Sequence, residues 1–240
     1  WQWRDAFQVD GTLRGEGLSL DWGSIQARGL DADLALDWRQ GQAPNIRSRA
    51  PLTLANLDVG VPVTEVRMGV DTDLDQWRFE KISAQLLGGE VRAPRLRWPS
   101  SEWQPVVLTG IELNQLAALQ NEAVVSLTGE VGGYIPLRLA ADSVAVRDGR
   151  LANETPLSLA LLPAAGTQAM AESNRAVSIA LEALNPLRVE RFSAEVDMAD
   201  DGWLDAAVHI RGTNPQRNGL PVVFNYTHKE NVLELLRSLR

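Results

Sequence analysis

Apolar residues recur at every second position through most of the chain. Leu30, Ala32, Leu34, Leu36 and Trp38 alternate with Asp31, Asp33 and Asp37. Leu18, Leu20 and Trp22 precede them in the same style, and Val66, Met68, Val70, Thr72 and Leu74 form another such run. Farther on come Leu137 and Leu139, then Val144 and Val146, then Leu157, Leu159 and Leu161. Val177, Ile179 and Leu181 follow, then Ala194, Val196 and Met198, and finally Leu204, Ala206, Val208 and Ile210. Successive strand side chains point to opposite faces, so each run predicts a β-strand with one apolar and one polar face. The phase slips between Leu187/Val189, on odd positions, and Phe192/Ala194, on even ones. That slip predicts a β-bulge near Glu190-Arg191.

Turn signals at Asp10-Gly11, Gly88-Gly89, Gly132-Gly133, Asp148-Gly149, Asp201-Gly202 and Asn218-Gly219 divide the strands. Their short spacing predicts an antiparallel meander rather than βαβ crossovers. Helix signals are few. Leu113, Leu116 and Leu119 predict a short helix, and Thr167 to Ser173 another turn or two. At the C-terminus Thr227-His228-Lys229-Glu230 reads as a capping box. Val232, Leu235, Leu236 and Leu239 then share one helical face, with Arg237 and Arg240 opposing the dipole. No strict repeat, low-complexity tract or clear linker emerges. Residues 1–240 read as one continuous β-rich domain, with a soft sub-boundary near 100–112.

Composition narrows the partners. Hydrophobic residues make up 45% of the 240, enough for a large core, and the formal net charge is −8. That charge argues against nucleic acid and against electrostatic docking on an anionic membrane. The absence of cysteine excludes disulfides, thiolate metal sites and cysteine nucleophiles. No apolar run reaches the length of a spanning helix. The chain opens on Trp1-Gln2-Trp3, so it reads as a piece of a longer protein with its anchor upstream.

The search for catalytic chemistry returns little. His209 sits on the polar side of its strand and His228 in the capping box, neither with a second histidine at metal-ligand spacing. Asp71, Asp73 and Asp75 open like a calcium loop, but Gln76 stands at the glycine position and Ile82 at the bidentate glutamate. Gly15-Glu16-Gly17 starts a dinucleotide fingerprint that Leu20 breaks, and no nucleophile elbow or Walker loop is present. The sequence names no catalytic residue, metal or cofactor. Asn153-Glu154-Thr155 and Asn225-Tyr226-Thr227 are sequons of the kind that arise by chance.

The one-sided pattern poses a physical question. Each buried Leu or Ile contributes roughly 1.5–3 kcal/mol, and monomers rarely expose large apolar patches. A sandwich or closed barrel would cover the face with the protein itself, and periodicity alone favours that solution. A curled sheet whose concave face holds lipid is the other, since an acyl chain gains about 0.8 kcal/mol per buried CH₂.

Ordered motifs bear on that choice. Gly110-Ile-Glu-Leu-Asn-Gln-Leu-Ala-Ala-Leu leads into Val125-Ser-Leu-Thr-Gly-Glu-Val-Gly-Gly-Tyr-Ile-Pro-Leu-Arg-Leu, then Val144-Ala-Val-Arg-Asp-Gly-Arg-Leu151. This order of short helix, glycine-bearing strand, Pro-Leu strand and Asp-Gly hairpin resembles the C-terminal region of the YdbH branch of AsmA-like envelope proteins. Ile82-Ser-Ala-Gln-Leu-Leu-Gly-Gly-Glu-Val, Phe224-Asn-Tyr and the stretch from Glu230 to Arg240 are similar to further family elements. The resemblance implies an elongated, curled, largely antiparallel sheet, an open gutter with an apolar concave face. It implies a non-enzymatic periplasmic segment of a bridge carrying phospholipid between inner and outer membranes, in a protein anchored in the inner membrane. It also implies a small outer-membrane lipoprotein partner resembling YnbE near the C-terminus. Candidate acyl-chain contacts are Leu34, Leu36, Leu137, Leu139, Val144, Val146, Leu159, Leu161, Ile179 and Leu181; candidate partner contacts are Val232, Leu235, Leu236 and Leu239. The competing reading is an assembly β-scaffold that binds a protein by strand addition.

Overall fold

Alternation with period two buries one side of a pleated strand, and the chain repeats this until it has built one very large sheet. The computed structural model describes residues 7–22, 25–59, 61–118, 125–161 and 185–234. Its strands are β1 (Gln8–Trp22), β2 (Ile25–Arg39), β3 (Asn45–Ser48), β4 (Leu52–Asp58), β5 (Pro62–Thr72), β6 (Trp77–Leu86), β7 (Gly89–Trp98) and β8 (Gln104–Glu112). After helix α1 (Leu113–Ala118) come β9 (Val125–Thr128), β10 (Glu130–Leu139), β11 (Val144–Asn153), β12 (Leu157–Leu161), β13 (Leu187–Met198), β14 (Trp203–Asn214) and β15 (Leu220–Asn231). All fifteen strands belong to one sheet, antiparallel throughout the described pairings, not to two facing sheets. The predicted segments around Thr167 to Ser173 and Val177 to Leu181 lie outside the described residues.

Three of the rows are broken strands. β3 and β4 lie end to end between β2 and β5. β11 and β12 run along β13 in the same way, and β9 and β10 along β12 and β11. Counted as rows, the described strands follow one another across the sheet in chain order, as a meander requires. The ladder passes without interruption through β8, which pairs with both β7 and β10.

Side chains splice the break between β11 and β12. Asn153 accepts a hydrogen bond from the Phe192 N–H at 2.7 Å and donates to the carbonyls of Thr155 and Glu190 at 3.0 and 3.2 Å. Thr155 Oγ1 accepts from the Glu130 N–H, and Glu154 Oε2 from the Gly110 N–H at 3.1 Å. To reach Gly110, Glu154 crosses Gly132, where a Cβ would sit 1.9 Å from its Oε1. A side chain at 132 would have to push the Glu154 carboxylate aside.

Bulges interrupt many of the rows. Gly17, Gly29, Glu65, Lys81, Gly110 and Asp148 hold positive φ inside strands, and register shifts accompany them. The bulge anticipated near Glu190-Arg191 is present, between Val189 and Arg191. Each bulge bends its strand and increases local twist. Three expected turns are corrected, the last of them by a residue that tolerates positive φ. Asp10-Gly11 and Gly132-Gly133 lie within β1 and β10, and Asp148-Gly149 is a bulge within β11. A residue tolerating φ > 0 serves a bulge as well as a hairpin, and the dipeptide does not distinguish them. The turns at Gly88-Gly89, Asp201-Gly202 and Asn218-Gly219 stand as expected. Leu74, expected to extend β5, sits in the following turn with φ 77° and is exposed.

The core consists of clusters along one face. Ile111, Leu113, Val131, Leu157, Leu187 and Val189 form the largest, with Leu187 wholly buried. Ala27, Leu54, Val66 and Ala84 form a second, and Ala194, Val196 and Ala206 a third.

The C-terminal cap is also corrected. Thr227 to Glu230 belong to β15, paired with Ala207 to Leu204, and not to a helix. Helical turn begins at 232, and Asn231 Oδ1 accepts from the Glu234 N–H at 3.1 Å as its cap. Ladder hydrogen bonds to β14 outcompeted the local capping box. This turn docks on the β13–β14 hairpin: the Val232 N–H donates to Gly202 O at 2.9 Å, and Asn231 donates to Asp201 O. Gly202, at φ 86°, leaves the space that Leu233 fills.

Candidate functional site

Residues directly paired in a ladder project to the same face, so the registers trace the apolar face across the sheet. One unbroken row runs Ala84, Val91, Leu108, Gly133, Leu151, Ala194, Val208, Tyr226, from β6 to β15. A second runs Gln104, Leu137, Val146, Met198, Leu204, Glu230. On the other flank Leu30, Leu54 and Val66 are in register, as are Leu57, Val63 and Leu86. The bulges keep this face apolar: wherever the sequence changes phase, an inserted residue restores the side on which Leu and Val point.

The described candidates for acyl-chain contact fall on this face. Leu34 pairs with Leu13, Leu36 with Ile46, Leu137 with Val146, Leu139 with Val144, and Leu159 with Leu187 and Leu127. Leu161 pairs with Val125 through the backbone ladder, while Ile179 and Leu181 lie outside the described residues. Val146 is buried, Val144 is 37% exposed, and Leu34, Leu36, Leu137, Leu139 and Leu159 are half-buried. Val232 is half-buried on the terminal turn; Leu235, Leu236 and Leu239 lie outside the described residues.

Residues the alternation did not single out also join the face. Phe79 pairs with Val70 and Leu96, and Trp77 with Thr72 and Trp98. They lie on a strand whose phase is reset at Lys81 (φ 52°), which hid the pattern; tracking alternation separately on each side of a slip would have found them. On β15, Phe224 stacks on Tyr226 at 6.2 Å, and the Tyr226 hydroxyl lies 3.0 Å from His228 Nδ1.

The opposite face is polar and laced with ion pairs. Arg14 bonds Asp33 at 2.9 Å, Arg95 meets Glu80 at 3.5 Å, and Lys229 meets Asp205 at 3.0 Å. The Arg14 hydrogen bond holds the Asp33 carboxyl below the usual carboxylate range. Such exposed pairs add little stability each, but they keep this side solvated. His209 is here, its Nδ1 3.0 Å from Asn225 Oδ1. The aspartates at 71, 73 and 75 form no ion cage. Asp73 accepts from the Asp75 and Gln76 N–H groups, the latter holding its carboxyl low, and Asp71 faces Arg78. Among the described residues no group of three or more His, Asp or Glu is placed to hold a metal, and no helix is long and apolar enough to cross a membrane.

The chain is 28% identical over 224 residues to the probable phospholipid transport protein YdbH of Escherichia coli (strain K12), a match covering 90% of this chain. It spans about a quarter of that relative's length and corresponds to its C-terminal part. No solved structure matches. Residues 1–240 match the family described as YdbH-like: Intermembrane phospholipid transport protein YdbH, so the chain belongs to the YdbH-like family.

Proposed function

We propose that this chain is a non-enzymatic, periplasmic segment of a bridge that carries phospholipid between the inner and outer membranes. The observation that carries the reading is the apolar row crossing one sheet in register from β6 to β15. A transport path needs a surface that is apolar in every row and has no polar barrier between rows, because each stranded CH₂ costs about 0.8 kcal/mol. The half-buried state of Leu34, Leu36, Leu137, Leu139 and Leu159 fits a surface that acyl chains complete. The bulges supply the curvature by which such a sheet becomes an open gutter. Acyl chains lie on the apolar face, and residues 1–240 act as one continuous unit of a longer protein anchored upstream in the inner membrane.

Mass spectrometry of the gently purified chain, with Leu137→Glu and Leu34→Glu beside it, tests this reading. Phospholipid bound to the parent chain and lost from both folded variants is the expected result. A parent chain that carries no phospholipid under any condition would overturn it.

A second reading has its own observation. β15 pairs only with β14 among the described residues and leaves Val223 67% and Tyr226 48% exposed. Such an edge suits strand addition by a protein partner, and a small outer-membrane lipoprotein is the partner proposed, with Val232, Leu235, Leu236 and Leu239 as its proposed contacts. As an assembly scaffold alone, the chain would keep that partner and its function in the Leu137→Glu variant; as a lipid path it would keep the partner and lose transport.

A further inference from the structure

The two ends of the apolar face differ in chemistry across the same stretch of sheet. The β2–β3, β5–β6 and β7–β8 connections mark one rim. The face beside them carries Trp38, Trp77, Phe79 and Trp98. Trp77 and Trp98 are direct cross-strand partners, Trp77 stacks on Phe79 at 6.3 Å, and Phe7 meets Trp38 edge-on at 5.9 Å. At the opposite rim, from β4 to β9, the corresponding positions are Leu57, Val63, Leu86, Ile111, Leu113 and Leu127. From β4 to β9 one rim is aromatic with indole N–H groups and the other aliphatic, although the backbone of β1 ends on Trp22 at that second rim.

Polar groups follow the same division. Beside Trp98 the β7–β8 and β10–β11 connections border a shallow, open depression of about 450 Å³ lined by Ser100, Ser101, Ser143, Arg138 and Asp200 among others. It lies at the same rim as Trp98: the Ser100 N–H donates to Leu139 O at 2.6 Å, and the Trp98 indole N–H to Ala140 O at 2.9 Å. Arg138 bonds Asp200 at 2.6 Å and lies 5.0 Å from the Trp103 ring centre, with Arg147 over the same ring at 4.5 Å. A guanidinium, a carboxylate and three hydroxyls gather at this rim, the Arg138 side chain reaching it from the face opposite Leu137 and Leu139.

We infer that phospholipid lies across the strands in one orientation, with its phosphate-bearing headgroup at the tryptophan rim and its acyl tails toward the leucine rim. The inference rests on the lipid-path reading above and adds its polarity. Indole rings settle where hydrocarbon meets water, because their bodies are apolar and their N–H needs a polar partner. Guanidinium and hydroxyl donors match phosphate oxygens, and Asp200 matches the ammonium of a zwitterionic headgroup. From Trp77 to Leu86 the strand covers roughly 30 Å, about twice the tail depth of one leaflet in a ~30 Å hydrocarbon core. Tails that start at the tryptophan rim therefore end near the middle of the strand, directed toward the leucine rim.

The chain's lack of cysteine makes the test direct. Ala141→Cys at the tryptophan rim and Leu57→Cys at the leucine rim each receive one fluorophore in the full chain, with Leu86→Cys in reserve should Leu57→Cys misfold. Phosphatidylcholine bearing a nitroxide on its headgroup, or near the end of one tail, is then bound. Headgroup nitroxide should quench the Ala141 label several-fold more than the Leu57 label, and tail nitroxide should reverse the order. Equal quenching at both rims, or the reverse order, overturns the orientation while leaving lipid binding intact. Absence of quenching by either lipid overturns the lipid-path reading and this inference with it. Chain-free glycerophosphocholine should leave the headgroup quenching unchanged; displacement at equal concentration would assign the pocket to soluble phosphate esters and overturn the inference.

Discussion

Replacing Asn153 by alanine tests whether side chains hold the broken row together. The amide accepts from Phe192 and donates to Thr155 and Glu190, all at 2.7–3.2 Å. Truncation strands one N–H and two carbonyls where the ladder between β11 and β12 is interrupted. Each net hydrogen bond contributes about 1 kcal/mol, so three give an upper figure near 3. Asn153 is half-buried, and water replaces part of what is lost. A loss of about 2 kcal/mol is therefore expected. Asn153→Asp should fare no better, since it keeps the bond from Phe192 but turns a carboxylate toward two carbonyl oxygens. Urea unfolding followed by tryptophan fluorescence reads the effect as a lower midpoint at unchanged slope. Asn225→Ala, on the exposed outer row of β15, is the control and should cost under about 1 kcal/mol. A midpoint for Asn153→Ala that coincides with the parent would refute the splice.

Four further outcomes follow from the packing and charge. Gly132→Ala should displace Glu154, orphan the Gly110 N–H and cost about 1–3 kcal/mol, measurable in the same unfolding assay. Leu187→Ala, at a wholly buried site, should cost about 2–5 kcal/mol, whereas Leu137→Ala on the half-buried path should cost less stability and show instead as reduced co-purifying lipid. Gly202→Ala should release the terminal turn, seen as faster amide exchange at Val232 with the global unfolding midpoint little changed. Arg138 and then Ser143 hold the Asp200 carboxyl below its ordinary range. The stability this contributes is full above about pH 4 and fades as pH falls through the depressed value. Arg138→Gln should move the Asp200 titration upward by NMR, and an unchanged titration would show that the ion pair does not form in solution.

Much of the fold was legible in the residues. Alternation through Leu30–Trp38, Val66–Thr72 and Leu204–Ile210 marked the strands, and short connections implied the meander. The odd-to-even change between Val189 and Phe192 located a bulge, because an apolar set on the wrong side would face water. Legibility failed where two structures share one chemistry. Asp148-Gly149 tolerates positive φ in a hairpin or inside a strand, and only the pairing of Val146 with Met198 and of Gly149 with Val196 decides. Thr227 to Glu230 satisfy a helix cap locally, yet β14 offers them a full ladder instead. The Asn153-Glu154-Thr155 splice carried no signal at all, since its partners Gly110, Glu130 and Phe192 lie 25 to 44 residues away.

The sequence by itself determined that each strand of this protein has one apolar side, because side-chain period is a property of the single strand. Which residues meet across a shared face was decided only by tertiary structure. Register, strand breaks and bulges depend on hydrogen bonds between distant segments, and those bonds are absent until the sheet forms. The same division holds for the two rims. Tryptophans and leucines are visible in the sequence, but the grouping of Trp77 with Trp98 at one end of the face and of Val63 with Leu86 at the other exists only once neighbouring strands reverse direction.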